Sequence, residues 1–148
     1  MTPESPVTVA FVCVQNAGRS QMAYAFAQRA RDRRGLGESV TLLTGGTDPA
    51  DHVHEPVAAA MAERGFEIGD RTPREIGPDD LADADYVITM GCSAEGVCPA
   101  TWRGDARDWD LTDPAGRDAD TVREIRDEIE DRVAELFGEL AGEHDQSA

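Results

Sequence analysis

The sequence predicts an α/β protein in which a parallel sheet is buried on both faces between helices. Three observations carry this expectation. Residues 7–12, 40–44 and 86–90 are short apolar runs rich in β-branched residues, without the polar alternation of a half-exposed strand. Stretches of helical periodicity lie between them, so successive strands are joined by crossovers and pair in parallel. The chain closes on a helix that places Val122, Ile125, Ile129, Val133, Leu136, Phe137 and Leu140 on one face. At 148 residues, without internal repeat or linker, residues 1–148 are expected to form one domain with a polar, frayed tail from about residue 142.

The first strand, residues 7–12, leads into Cys13-Val14-Gln15-Asn16-Ala17-Gly18-Arg19-Ser20, and a helix follows. Met22, Ala23, Phe26, Ala27 and Ala30 fall on one helical face. A thiol thus stands at the end of a buried strand, with an arginine six residues on at a helix start. A short loop in that setting turns its N–H groups inward as a nest, and the first amides of the helix add to it. Such a cup, formed here by residues 14–19, takes a tetrahedral oxyanion. Cys13 would lie at its floor, where amide dipoles favour a thiolate. Arg19 can hold two oxygens of the anion at once. Ser20 can donate its hydroxyl to the sulfur. Gly18 would supply backbone freedom, and Asn16 would pin the loop through side-chain to backbone bonds. Taken alone, a cysteine and an arginine at this spacing also fit an inert core thiol and a surface charge.

The remaining elements follow in order. Arg31, Arg33 and Arg34 close the first helix against its dipole. Residues 40–44 form the second strand, left through Gly45 and Gly46. A loop carrying His52 and His54 leads to a second helix with Pro56 in its first turn, ending by Gly65. Two histidines at that spacing are a weak metal signal, and both are read as structural. Residues 71–74 form a turn with a possible helix start, and residues 78–81 a short helix. Residues 86–90 are the third strand. Residues 108–111, with Trp109 and Leu111, read as a short fourth strand or the end of one, followed by Asp113-Pro114.

Charge bounds the partners. The chain has 30 acidic against 14 basic residues, a net charge of -16, and all the basic residues are arginine. Such a surface repels nucleic acid and anionic membranes, and neither is expected as a partner. It suits a protein adapted to molar salt, where the Debye length of about 3 Å leaves only the local pocket to attract an anion. No apolar run reaches the length of a membrane span, and residues 1–6 lack the features of a signal peptide, so a cytoplasmic protein is expected. Three cysteines argue against a disulfide scaffold.

The stretch Cys13-Val14-Gln15-Asn16-Ala17-Gly18-Arg19-Ser20-Gln21-Met22-Ala23 resembles the active-site loop of the low-molecular-weight protein tyrosine phosphatase superfamily. With Gln21 where the phosphatases usually carry proline, it is more similar to their arsenate reductase branch. The resemblance implies a flavodoxin-like three-layer sandwich with a four-stranded parallel sheet in the order 2-1-3-4. It implies Cys13 as nucleophile, Arg19 as anion clamp and Asp113 as general acid, whose Asp-Pro matches the family's. Outside the resemblance, an Asp-Pro pair is equally a turn signal. Tyrosines commonly follow that Asp-Pro in the phosphatases, whereas Ala115-Gly116-Arg117 follow here. The thioredoxin-coupled reductases use three thiols in these regions, which implies a relay through Cys92 and Cys98, with Cys92 one position nearer Cys98 than usual. The branch also holds a potassium ion near a helical glutamate. Tyr24 stands there instead, and neither cofactor nor metal is expected.

The expected activity is therefore arsenate reduction. The expected partners are arsenate (or phosphate or phosphotyrosine) as the anion, and a thioredoxin- or glutaredoxin-like protein or a small thiol as reductant. The alternatives are a phosphomonoesterase and a non-enzymatic anion-sensing module on the same fold.

Overall fold

The computed structural model describes residues 7–90, 104–114 and 116–146. Its strands are β1 (Val7–Cys13), β2 (Val40–Gly46), β3 (Tyr86–Met90) and β4 (Asp105–Asp108). Its helices are α1 (Arg19–Arg33), α2 (Glu55–Ala62), α3 (Pro78–Leu81) and α4 (Ala119–Gln146). The sheet order is β2-β1-β3-β4, with every pairing parallel, as expected. None of the described helices is long and apolar enough to cross a membrane.

β1 is central, and its residues alternate between two cores. Val9, Phe11 and Cys13 face a large cluster with Met22 and Phe26 of α1, Val57 and Met61 of α2, and the apolar stripe of α4. Ala10 and Val12 face a thinner one with Ile76, Leu81, Ala84 and Val87. Burial on both faces is why these strands read as unbroken apolar runs. The register sets the functional edge, because Cys13 lies opposite Gly46 on one side and Met90 on the other. Three strand ends therefore come level at one thiol, at the carboxyl edge where open α/β sheets bind ligands.

The helix ends follow from local chemistry. α1 closes with Arg31 and Arg33 in its last turn, and Gly35 takes φ 67° just beyond. Asp118 accepts a 2.9 Å bond from the Thr121 N–H at the start of α4, and the Thr121 side chain, then this N–H, hold its carboxyl below the usual range. Arginines then tie three helices on the solvent side. Arg29 and Arg64 both reach Glu130, Arg64 also meets Asp127, and Arg123 and Arg126 converge on Glu63.

Three expectations are narrowed or corrected. The fourth strand is Asp105–Asp108, so residues 108–111 hold its end and the segment beyond it rather than the strand itself. Trp109 and Leu111 are buried beyond its end, and Trp109 extends the ladder only by its N–H to Thr89 O at 2.9 Å. β4 is an edge strand with a largely exposed, polar sequence, so the apolar signal marked core contact rather than pairing. Residues 71–74 start no helix. Pro73 disfavours a helical Thr72, and the segment instead runs extended to a bridge between Glu75 and Gly46. Finally, the last helix passes residue 142 and reaches Gln146.

Candidate active site

The segment after β2 shapes the loop between β1 and α1. The N–H groups of Thr47, Asp48, Ala50 and His54 donate to the carbonyls of Cys13, Val14, Gln15 and Ala17 at 2.8–3.2 Å. In a trans peptide the N–H points opposite to the carbonyl. With these carbonyls drawn outward, the amides of Val14, Gln15, Asn16 and Gly18 are turned into the cup. α1 starts at Arg19 with no side-chain cap from Gly18, so its first amides also open there. Gly46 lets the two backbones meet, because a Cβ there would collide with Val14 O and lie 2.9 Å from Asn16 N.

Cys13, 3% exposed, lies at the floor. Its Sγ is 2.8 Å from Ser20 Oγ and receives the Asn16 N–H at 3.1 Å. The direction of the Ser20 proton follows from the residues behind it. The Arg74 N–H, which can only donate, meets Asn16 Oδ1 at 3.1 Å, as does Gln21 Nε2. Asn16 Nδ2 must then face Ser20 Oγ at 2.8 Å and Thr44 Oγ1 at 3.0 Å. Thr44 sends its own proton to Phe11 O at 3.0 Å. Ser20 Oγ accepts from Asn16, which leaves the Ser20 proton to point at sulfur. Two donors thus compensate negative charge on Cys13.

The cup walls form a cavity of about 240 Å³ lined by Cys13, Val14, Gln15, Gly18, Arg19, His54 and Asp113. Arg19 Nη1 donates to Leu111 O at 3.0 Å, which presents the Nε and Nη2 edge to an anion. Arg19 Nη2 lies 3.8 Å from Asp113 Oδ2, and the Asp113 side chain is 59% exposed at the rim. The next residue, Pro114, leans on the loop: a Cβ on Gly18 would come within 3.0 Å of Pro114 Cγ.

The structure thus brings Cys13, Arg19, Ser20, Asp113 and residues 14–18 to one place. The loop expectations are extended. Gly18, at φ −140° and ψ −97°, lies outside the α and β regions and supplies the expected backbone freedom; it also makes room for Pro114. Asn16 takes the left-handed backbone at φ 52°. Asn16 also works through side chains as well as backbone. Cys92 and Cys98 lie outside the described residues.

Sequence reasoning missed Thr44, Gln21 and the Leu111 carbonyl, and took His54 as structural only. His54 does anchor Ala17, but its ring also lines the cavity and meets Gln15 Oε1 at 3.1 Å. Thr44 carries a faint signal as a hydroxyl near the end of an apolar strand, and Gln21 as a polar residue on the buried helix face. Among the described residues no group of His, Cys, Asp or Glu could hold a metal. The surroundings of Tyr24 include Arg71 and Arg74 and no carboxylate, which does not fit a potassium ion.

Relatives agree with this geometry. A Halobacterium salinarum protein provisionally named arsenate reductase is 55% identical over 95% of this chain and 97% of its own length. That source accords with the acidic, salt-adapted surface. The Corynebacterium glutamicum thioredoxin-dependent arsenate reductase structure superposes with a TM-score of 0.73 at 38% identity, over 94% of this chain and 64% of that one. A structure of an arsenate reductase in the phosphate-binding state gives 0.74 at 30% identity, over 90% of this chain and 98% of that one. The family model of the low molecular weight phosphotyrosine protein phosphatases matches residues 8–146, and the chain belongs to that family.

Proposed function

We propose that this protein is an arsenate reductase that works through a cysteine nucleophile and a thiol relay. The observation that carries the reading is the buried Cys13 sulfur, held by the Ser20 hydroxyl and the Asn16 amide beneath Arg19 in a cup of inward amides. Relatives named arsenate reductases, one of them in a phosphate-binding state, support a small oxyanion as substrate. A thioredoxin-dependent relative supports a thioredoxin-type reductant.

Arsenate enters with its oxygens on the loop amides and the Arg19 guanidinium. Cys13 thiolate attacks arsenic, an arsenic–oxygen bond breaks, and Asp113 supplies a proton so that water leaves. A second thiolate then attacks Cys13 Sγ. The sulfur–arsenic bond breaks with its electron pair going to arsenic, which is released as arsenite, and the two sulfurs are joined. Two thiolates thereby give up the two electrons that arsenic gains. Cys92 is assigned the second thiol: Met90 pairs with Cys13 in the sheet, and Cys92 is only two residues further along. Cys98 then exchanges with Cys92 to give a Cys92–Cys98 disulfide for the external reductant.

The test uses one equivalent of arsenate without reductant, followed by disulfide mapping by mass spectrometry. Wild type should accumulate Cys92–Cys98, Cys98→Ser should trap Cys13–Cys92, and Cys13→Ser should stay reduced. If wild type and Cys98→Ser both stay reduced while arsenite forms only with an added small thiol, the relay is wrong. Turnover of an aryl phosphate without arsenate reduction would make the protein a phosphomonoesterase, in which water resolves the Cys13 intermediate.

A further inference from the structure

His54 reaches the anion loop at three points. Its backbone N–H donates to Ala17 O at 2.9 Å. Its ring Nε2 lies 3.1 Å from Gln15 Oε1. Its Cδ2 stands 3.6 Å from where a Cβ on Gly18 would lie. The same ring lines the cavity above Cys13, and among the described residues only Asp113 joins it there from outside the stretch 13–19.

The residue that holds the loop is itself held. His54 is the N-cap of α2, its carbonyl accepts the Ala58 N–H at 3.0 Å, and Val57 in the first turn is fully buried. A ring nitrogen and an amide form their bond with either one as donor, so the tie to Gln15 does not depend on the tautomer. The bond to Ala17 is made by backbone and survives any change at position 54 except proline. The bond to Gln15 needs a polar side chain of the same reach. Gln15 is exposed, so burial does not fix it. Its amide is nevertheless one of those turned into the cup. Donors that already point at an anion bind it better than donors that must be ordered when it arrives.

We propose that His54 is a positioning residue of the cup, whose ring holds Gln15 so that the loop amides are aimed before the oxyanion arrives. It acts through Gln15 and sets the affinity for the anion. The inference rests on the cup as an oxyanion site and is independent of whether arsenate is reduced there.

The test reads phosphate affinity on the full chain as protection of Cys13 from iodoacetamide, followed by mass spectrometry at a fixed pH and a constant high KCl concentration. His54→Leu, which keeps the bulk and loses the bond, should weaken protection about three- to tenfold, the range expected for one hydrogen bond. His54→Gln should keep wild-type affinity, because its amide nitrogen stands as many bonds from the backbone as Nε2. Gln15→Met should lose as much as His54→Leu, and the double variant no more than either, since both remove the same tie. The thermal transitions should stay close to wild type, because the bond is exposed. Equal protection in wild type and His54→Leu, failure of His54→Gln to match wild type, or additive losses in the double variant would each overturn the proposal and leave the cup as an anion site. No protection of Cys13 in wild type would remove the anion site itself, and the proposal with it.

Discussion

The Asn16 side chain has the most to lose on substitution. It is fully buried, adopts φ 52°, and makes four side-chain bonds, to Ser20, Thr44, Gln21 and the Arg74 amide. Asn16→Gly keeps the backbone permitted and deletes the bonds. At about 0.5–1.5 kcal/mol net for each, their loss should destabilise the fold by about 2–6 kcal/mol. Asn16→Ala loses the same bonds and keeps a Cβ in the left-handed region without a side chain that can bond locally, so it should lie about 1–2 kcal/mol below Asn16→Gly. Since a domain of this size holds only about 5–15 kcal/mol, both variants should shift a urea transition visibly. The chemistry should suffer with the fold, because Ser20 loses the donor that aims its proton at Cys13. The assay pairs urea unfolding with the rate at which iodoacetamide alkylates Cys13, measured where each variant is still folded. Asn16→Gly within about 0.5 kcal/mol of wild type, with an unchanged alkylation rate, would refute the argument that this amide organises the loop.

Asp113→Asn should lower arsenate turnover by roughly two to four orders of magnitude with little change in anion binding; an unchanged turnover and pH–rate profile would remove Asp113 from the mechanism. Arg19→Lys should lose both the planar double contact and the tie to Leu111 O, and near-normal kcat/KM for arsenate would count against the clamp. Gly18→Ala should push Pro114 away and misplace Asp113, for a loss of about 100-fold in kcat; adding Pro114→Ala should restore part of it, and no response in either variant refutes the packing argument. Bonds from Arg123 and then Arg126 hold the Glu63 carboxyl at about 2 rather than 4.5. Because the folded value is the lower one, this contribution is complete above about pH 4.5 and vanishes as pH falls through about 2. Glu63→Gln should therefore melt below wild type at neutral pH, with the gap closing across that window, and a gap independent of pH would contradict the assignment.

The parts of this protein that were legible in the sequence are those whose signal is contiguous. β1, β2 and β3 announce themselves because both faces are covered, and the anion loop because nucleophile, clamp and hydroxyl follow one another within eight residues. β4 did not, since an edge strand pairs on one side and can be written as Asp105-Ala106-Arg107-Asp108. What escaped at the site came from far along the chain and largely from backbone, which has no residue identity to read. The outward pull of Thr47, Asp48, Ala50 and His54 and the Leu111 carbonyl holding Arg19 belong to this class. So does the Arg74 amide that sets the direction of Asn16. That last donor still carries a sequence condition, because any residue except proline supplies it. Pro73 sits one position before, where it keeps the segment extended and leaves the next amide intact. A proline at 74 would take away the one group that obliges Asn16 to turn its oxygen from Ser20, and with it the reason the Ser20 proton points at the sulfur.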